Sequence, residues 1–246
     1  MKKLIIALFS VFILWQQSYA LNLSEIRTEV RRIVRDQGSD RYSDAVLNSL
    51  VNQGQKDINN QTWKLYKTTA YVLSPLTTYY NLPGDFLAMR QAYFKNSQGD
   101  NLVIDALAER SLIQKNGAWE KERGTPVSYY VSAATNPTVT SSSTMRISYI
   151  PIPTVTSTGT VTLLYYNEPP DLAMDSDLPF EGRRNLFSYH MALVYYTVMR
   201  IRLIEGVPDE ATVYQNLYAG QVAIMEKRAF MTPDLTPGFS AGGTGR

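Results

Sequence analysis

The spacing of apolar residues divides the chain into a helical part, a strand-like part and a second helical part. Between residues 23 and 35, large apolar side chains recur at steps of three and four, which predicts an amphipathic helix. Ser43-Asp44 can cap a second helix, whose apolar face continues to Ile58. Gly54 lies on that face at a cost in helix propensity, so we expect close contact with another helix there. The turn of about seven residues between the two helices predicts an antiparallel hairpin.

The period shortens to two residues after the second helix. Alternation from Trp63 to Leu73 predicts a strand that ends before Pro75, and a second short strand is expected at residues 77–82, before the Pro83-Gly84 turn. Residues 86–94 are apolar and fit either a helix or a strand.

Later segments continue this strand-rich part. A turn is expected at residues 96–100, and residues 105–115 fit a short helix capped by Asp105. Residues 125–167 hold 17 Ser or Thr and a single charged residue, Arg146. Their tyrosine and β-branched content predicts three strands of an antiparallel sheet: Val127–Val131, Met145–Ile150 and Thr160–Asn167.

The helical period returns after an acidic connection at residues 171–182. A long helix is predicted from Leu186 to about Glu205, with Gly206 as its C-cap. Pro208 opens a further helix, whose apolar, tyrosine-rich face is formed by Tyr214, Leu217, Tyr218, Gln221, Ile224 and Met225.

Together these elements predict an α+β fold in which terminal helical hairpins form a four-helix bundle with a β-rich antiparallel insertion. The expected parts are a signal-like apolar leader at 1–20, the helical bundle at 21–62 and 169–232, the β-rich insertion at 63–168, and a flexible C-terminal tail at 233–246. The tail is too rich in Gly and Pro to pack alone.

The first twenty residues have the order of a secretory signal peptide. A basic start is followed by an apolar run from Leu4 to Trp15, and Ser18 and Ala20 are small residues placed around a possible cleavage site. The run is shorter than the ~20 residues of a membrane span. The alternative is an apolar N-terminal helix that docks in an assembly.

Composition excludes several classes of chemistry. The 246 residues include no cysteine and one histidine, His190, so disulfides, thiolate metal sites and sites that need two histidines are ruled out within one chain. The net charge is +2, and removal of residues 1–20 leaves 22 basic and 22 acidic residues. No global basic field therefore points to nucleic acid.

No constellation of residues points to catalysis, a cofactor or a metal. The pattern G-x-S-x-G of a nucleophile elbow occurs once, from Gly238 to Gly242, but it lies in the Gly- and Pro-rich tail without the strand and helix that such an elbow needs, and no phosphate-binding glycine loop is present. His190 lies among apolar residues of a predicted helix, which favours a buried, hydrogen-bonded histidine or an interface residue over a general base. Asp171, Asp175 and Asp177 are interpreted as solvated acids, because the glycine and the distal glutamate of a calcium loop are missing. We expect a protein that is not an enzyme.

Five arginines in the first helical part allow two interpretations. The group could contact phosphates, or it could be a solvated face balanced by nearby acids, and the neutral mature chain favours the second. Its members are Arg27, Arg31, Arg32, Arg35 and Arg41.

The 17 tyrosines also have two interpretations. Aromatic residues are ordinary in strands, whereas tyrosines on helix faces suit a subunit interface. The candidate interface residues are Tyr195, Tyr196, Tyr214 and Tyr218. In the tail, Leu235, Phe239 and Arg246 are candidates for docking to a partner.

Four stretches, in this order, carry a family resemblance. They are Tyr42-Ser43-Asp44-Ala45-Val46-Leu47-Asn48, continuing through Gly54-Gln55-Lys56-Asp57-Ile58 to Trp63; Tyr80-Asn81-Leu82-Pro83-Gly84-Asp85-Phe86; Leu164-Tyr165-Tyr166-Asn167-Glu168-Pro169-Pro170-Asp171-Leu172; and the helix pair that follows Arg183. With them, residues 23–232 resemble a head-to-tail connector (adaptor) protein of tailed bacteriophages.

The resemblance implies a structural virion protein of the neck, between head and tail. It implies a homo-oligomeric ring, commonly of twelve subunits, that joins the portal protein to a tail or nozzle protein and lines the DNA exit channel, with transient, non-specific DNA contact. The leader and the Ser/Thr-rich region support an alternative: an exported, periplasmic or envelope-associated binding module without enzymatic activity.

Overall fold

A computed structural model describes residues 20–39, 41–96, 99–108, 110–111, 119–133, 145–154 and 159–231 of the chain. For residues 228–231 it describes the backbone and not the side chains. The chain divides into two compact units, of which Trp63–Glu168 form one and the segments on either side form the other. The predicted leader, apart from Ala20, and the predicted tail at 233–246 lie outside the described residues.

The first unit is helical. Its α-helices among the described residues are α1 (Leu23–Val34), α2 (Asp44–Thr62), α3 (His190–Ile204) and α4 (Pro208–Met231), and two 3-10 turns, Phe180–Gly182 and Arg184–Tyr189, precede α3. A capping box starts α1: the Asn22 side chain accepts from the Glu25 amide at 2.9 Å, and the Glu25 carboxylate accepts from the Asn22 amide at 2.8 Å. The helix ends at Arg35, which has a left-handed φ of 61°.

The predicted four-helix bundle of two terminal hairpins is wrong. The helices are interspersed with the sheet and the 3-10 turns, and α1, α2 and α4 each pack chiefly against α3. The reason lies in the sequence of α3, whose buried residues extend around most of its circumference: His190, Ala192, Leu193, Val194, Thr197, Val198 and Ile201. A helix that is apolar on several sides needs neighbours on several sides, so α3 is central.

The second unit is a seven-stranded curled sheet. Its strands are β1 (Tyr66–Val72), β2 (Tyr80–Asn81), β3 (Phe86–Lys95), β4 (Asn101–Ala106), β5 (Ser128–Ala133), β6 (Met145–Ile150) and β7 (Thr160–Asn167), in the spatial order β1-β7-β3-β4-β5-β6-β2. The prediction of an antiparallel sheet fails at one place, because β4 and β5 run parallel, with Asp105 opposite Ser128.

Tertiary pairing decided the segments that the sequence left open. The apolar residues 86–94 belong to β3, which pairs with β7 on one side and β4 on the other. Asp105 lies in β4 and does not cap a helix, and half of the later positions of the predicted helix, 109 and 112–115, lie outside the described residues. At the expected turn of residues 96–100, the Asn96 amide donates to the Asp100 carbonyl at 3.1 Å, and residues 97 and 98 lie outside the described residues.

One face of the sheet carries the core of this unit. Along β7, buried and half-buried residues alternate strictly, as the period of two requires. The large buried side chains include Leu73, Phe94, Ile147, Tyr149 and Leu163.

Candidate functional site

Two largely buried arginines of α1 form an ion-pair network. Arg27 and Arg31 are each only 8% exposed. Arg31 donates to Asp36 at 3.2 Å, to Asp44 at 2.6 Å and to the Tyr42 carbonyl at 2.7 Å. The hydrogen bond from Arg31 holds the pKa of Asp44 below its ordinary value. The network therefore fastens α1 to the start of α2.

Arg27 extends this network to the acidic connection. Its guanidinium lies 3.3 Å from the Asp44 carboxylate and donates to Asp175 and to the Asn48 side chain. At the same end of α1, the amides of Leu23 and Ser24 donate to carbonyls of residues 177 and 175. These contacts satisfy free donors of the first helical turn.

The interpretation of all five arginines as a solvated face is wrong for Arg27 and Arg31. These two residues border the apolar stripe of α1 and lie against carboxylates that are remote in the sequence. Arg32, Arg35 and Arg41 are exposed, and Arg32 and Arg41 pair with Glu29 and Glu205. Because Arg27 and Arg31 are already neutralised within the chain, they offer little to a phosphate.

Two amide side chains of α2 hold the irregular connection after the sheet. Asn52 accepts from the Leu172 amide at 2.8 Å and donates to its carbonyl at 3.1 Å. Gln55, which is fully buried, donates to the Pro170 carbonyl at 2.9 Å and accepts from the Phe180 amide at 2.7 Å. The two side chains thus replace the backbone partners that this segment would find in a helix or sheet.

A tight contact joins α2, α3 and α4. Gly54 faces the Tyr196 ring, and the rings of Tyr196 and Tyr218 meet edge to face with centroids 5.4 Å apart. The Tyr218 hydroxyl donates to Asp57, and burial together with this carboxylate raises the pKa of Tyr218. The expected close helix contact at Gly54 is confirmed.

The four candidate interface tyrosines differ in their surroundings. Tyr196 and Tyr218 take part in packing within the subunit, as just described. Tyr195 and Tyr214 are half-buried, and burial raises the pKa of Tyr195, with a further contribution from Glu29. Tyr195 and Tyr214 therefore leave more side-chain surface for a neighbour than Tyr218, which is 7% exposed.

A polar pocket of about 440 Å³ lies where α1 ends and α4 begins. Arg35, Arg41, Arg202, Glu210 and Tyr214 contribute to its lining. Its charges are largely balanced, because Arg202 lies 2.9 Å from Glu210 and also pairs with another acid, Glu205. The pocket therefore has the character of a structural ion-pair cluster.

His190 has a structural environment. It is 1% exposed, and its Nδ1 lies 2.9 Å from both the amide nitrogen and the carbonyl oxygen of Leu21. Burial lowers the pKa of His190 to about 4, against the opposing effect of the Leu21 hydrogen bond and the Glu25 charge. The rings of Phe180 and Phe187 pack nearby. A buried, hydrogen-bonded histidine is therefore confirmed.

In the sheet unit, Asp85 connects two of the stretches that the sequence analysis singled out. Its carboxylate accepts from the Lys67 ammonium at 2.8 Å and the Tyr165 hydroxyl at 3.0 Å, and its carbonyl accepts from the Glu168 amide at 2.7 Å. Burial and the Asp85 carboxylate raise the pKa of Tyr165 to about 12. The 80–86 and 164–168 stretches thus share one structural junction.

The acidic connection serves structural contacts. Asp171 pairs with Lys56, Asp175 with Arg27, and Asp177 accepts from the amides of Ala173 and Met174. These amide hydrogen bonds lower the pKa of Asp177. Within the described part of the chain, no group of three or more His, Cys, Asp or Glu side chains could hold a metal ion. The described helices also include none with the length and hydropathy of a membrane span.

The tail candidates Leu235, Phe239 and Arg246 lie outside the described residues. Sequence reasoning missed Asn52, Gln55 and Asp85 as fastening residues. Only their position on the buried sides of α2 and at a strand start could have indicated this, because most of their hydrogen-bond partners are distant in sequence.

The sites described above fasten segments of the chain to one another. The model of the SU10 adaptor protein family matches residues 21–237. The chain therefore belongs to this family of phage head-tail adaptors, whose members are structural virion proteins that bind other virion proteins. The matched region begins directly after the predicted leader and includes the first residues of the predicted tail. No curated protein matches the chain.

Proposed function

We propose that the protein is the head-to-tail connector of a tailed phage, and that it forms a ring of twelve subunits in the virion neck. Family membership over residues 21–237 carries this proposal. The ring joins the portal protein to a tail or nozzle protein. Its contacts are heterologous, because a rotationally repeated contact between two different surfaces closes into a ring. Tyr195 and Tyr214 supply part of one such surface.

In this ring, the subunits line the channel through which DNA leaves the head. The neutral balance of charged residues after position 20 supports this role, since many unpaired Lys or Arg would hold DNA by phosphate contacts. The burial of Arg27 and Arg31 in ion pairs supports it further. The expected DNA contact is transient, weak and independent of sequence.

The tail is proposed as the segment that docks to the neighbouring ring. Its sequence has only two large apolar residues, Leu235 and Phe239, among glycines and prolines that suit a narrow groove. Arg246 completes the contact. The protein performs no catalysis in this role, and the structural environment of His190 supports that view.

Imaging of the purified full chain mixed with its portal protein tests the proposal. Negative-stain class averages are expected to show a second ring of twelve-fold symmetry seated on the portal. A variant that lacks residues 233–246 is expected to melt at the same temperature as the full chain and to fail to bind. A full chain that stays monomeric and does not bind the portal overturns the connector function.

A further inference from the structure

One face of α4 is apolar and exposed along most of the helix. Val213, Leu217 and Ile224 are 56%, 44% and 46% exposed, and the opposite face packs into the subunit through Ala211, Tyr218, Val222 and Met225. At about 100° per residue, Val213, Leu217, Gly220 and Ile224 fall within an arc of about 60°. We name these four residues the α4 stripe.

The α4 stripe is also free of charge. The fifteen residues from Ala211 to Met225 include no charged residue, although the helix is solvent-exposed on one side. Exposed helix faces ordinarily carry Lys and Glu, and the centres of protein interfaces are depleted of them. The composition of the stripe is therefore that of an interface centre.

Gly220 gives the stripe a depression near its middle. A Cβ added at Gly220 would meet nothing within 4 Å, so the space above this residue is open. A neighbouring helix can approach closely at such a position and insert a large side chain.

The charges at the two ends of the stripe favour a second copy of the chain as the occupant, and Glu210 also lies 2.9 Å from Arg202 of its own subunit. Asp209 and Glu210 lie in the first turn of α4, and Lys227 lies near its end. When a second α4 is placed antiparallel, with the two-fold axis between Tyr218 and Ala219, Glu210 faces Lys227 of the partner. The same register places Val213 opposite Ile224 and Leu217 opposite the open space at Gly220.

From this match we infer that two copies of the protein associate through antiparallel α4 helices into a two-fold dimer. One register satisfies the apolar pairs, the depression and the charges together. A two-fold contact is isologous and does not build a ring, so the dimer is a state of the subunit outside the connector and is independent of the proposed function. The contact of about four helical turns is small, which predicts a dissociation constant on the order of 10–100 µM.

Sedimentation velocity of the full chain from about 1 to 300 µM tests the dimer, since this range brackets the expected constant. Leu217→Glu places one carboxylate from each subunit in the contact and is expected to weaken the dimer at least tenfold, because each carboxylate would lose water without gaining a partner. Ala219→Lys, exposed on α4 but away from the stripe, is the matched control and is expected to leave dimerisation unchanged. Circular dichroism melting checks that both variants are folded.

A charge exchange tests the antiparallel register. Glu210→Lys and Lys227→Glu each create two like-charge pairs per dimer and are expected to weaken it about tenfold. The double variant restores both pairs and is expected to return the affinity to within about threefold of the original chain. Glu210 also pairs with Arg202 in its own subunit, so Glu210→Lys alone could weaken the dimer indirectly. Recovery of dimer affinity when Lys227→Glu is added is therefore the observation that supports the antiparallel register.

The inference of an α4 dimer is overturned if the chain remains monomeric at 300 µM, or if the Leu217→Glu variant dimerises as well as the original chain. Failure of the double variant to recover overturns the register. Portal binding measured on the same variants separates this inference from the connector function. If the original chain forms no dimer and Leu217→Glu abolishes portal binding, the α4 stripe binds a different partner and the inference of a second copy is rejected.

Discussion

Gly54 and Tyr196 are in direct contact across the α2–α3 helix pair. A Cβ built on Gly54 would lie 2.8 Å from Cδ1 and 3.1 Å from Cγ of the Tyr196 ring, and 3.4 Å from Leu193 Cδ2. Such an approach is closer than real side chains tolerate, so the absence of a side chain at residue 54 sets the distance between the two helices. The edge-to-face contact of Tyr196 with Tyr218 continues the same packing to α4.

Gly54→Ala is expected to destabilise the protein by about 1–2 kcal/mol, although alanine is the better helix former by about 1 kcal/mol. The strain arises because the Tyr196 ring must shift to make room, which disturbs its contact with Tyr218. Urea unfolding followed by circular dichroism measures the change.

Gly220→Ala is the matched control, because it makes the same substitution inside another helix where the space is open. It is expected to stabilise the monomer by about 0.5–1 kcal/mol. Equal stabilisation by both substitutions would mean that α2 and α3 do not pack as closely as described.

Arg31→Leu is expected to cost about 3–5 kcal/mol, because it leaves the Asp36 carboxylate, which is 4% exposed, without its cationic partner. Arg32→Leu, one residue along the same helix, removes an exposed pair with Glu29 and is expected to cost much less, because exposed ion pairs contribute little to stability. Chemical denaturation of the original chain and both variants measures the free energy of unfolding of each. Similar costs for the two would place Arg31 in solvent.

Gln55→Ala is expected to release the connection before α3, since it leaves the Pro170 carbonyl and the Phe180 amide without partners. We expect a loss of about 2–4 kcal/mol from these two buried groups, and faster hydrogen exchange at residues 170–180. Gln53→Ala, on the exposed side of α2, is the control and should change neither quantity. Unchanged exchange at 170–180 in the Gln55 variant would show that the two hydrogen bonds do not hold this segment.

Stability is expected to fall between about pH 6.5 and pH 4 because of His190. Its pKa in the folded protein is about 4, below the ordinary value of 6.5, so in this window the unfolded chain binds the proton more readily. The contribution of a neutral His190 is complete above pH 6.5, and at most about 3 kcal/mol is lost as the pH falls to 4.

Carboxylates also titrate in acid, so the free energy of unfolding in urea is measured for both the original chain and His190→Gln at pH 7, 5.5 and 4.5. The difference between the two proteins at each pH isolates the contribution of His190. The variant is expected to be less stable at pH 7, and to lose less stability on acidification. Parallel pH profiles for the two proteins would contradict a buried neutral His190.

Several elements of the fold were predictable from local sequence. The capped apolar period at 23–35 and the Ser43-Asp44 cap predicted α1 and α2 closely, and the alternation at 145–150 and 160–167 predicted β6 and β7 with the observed bounds. Gly54 predicted a close helix contact, because a glycine on a buried helix face lowers helix stability and needs a packing reason to be there.

Other features depended on partners that are distant along the chain. Residues 86–94 became a strand because β4 and β7 supply hydrogen bonds on both sides. The parallel pairing of β4 with β5 and the central place of α3 likewise arise from packing between remote segments.

The sequence by itself determined where the helices and the main strands form, because caps, turn residues and apolar periods act over a few neighbouring positions. Only the tertiary structure decided the roles of Arg27, Arg31 and Gln55. A polar side chain is compatible with either solvent or a buried site, and its position depends on whether folding supplies partners for its hydrogen bonds and charge. For Arg31 those partners include Asp36 and Asp44, and for Gln55 they are backbone groups of residues 170 and 180, more than a hundred positions away.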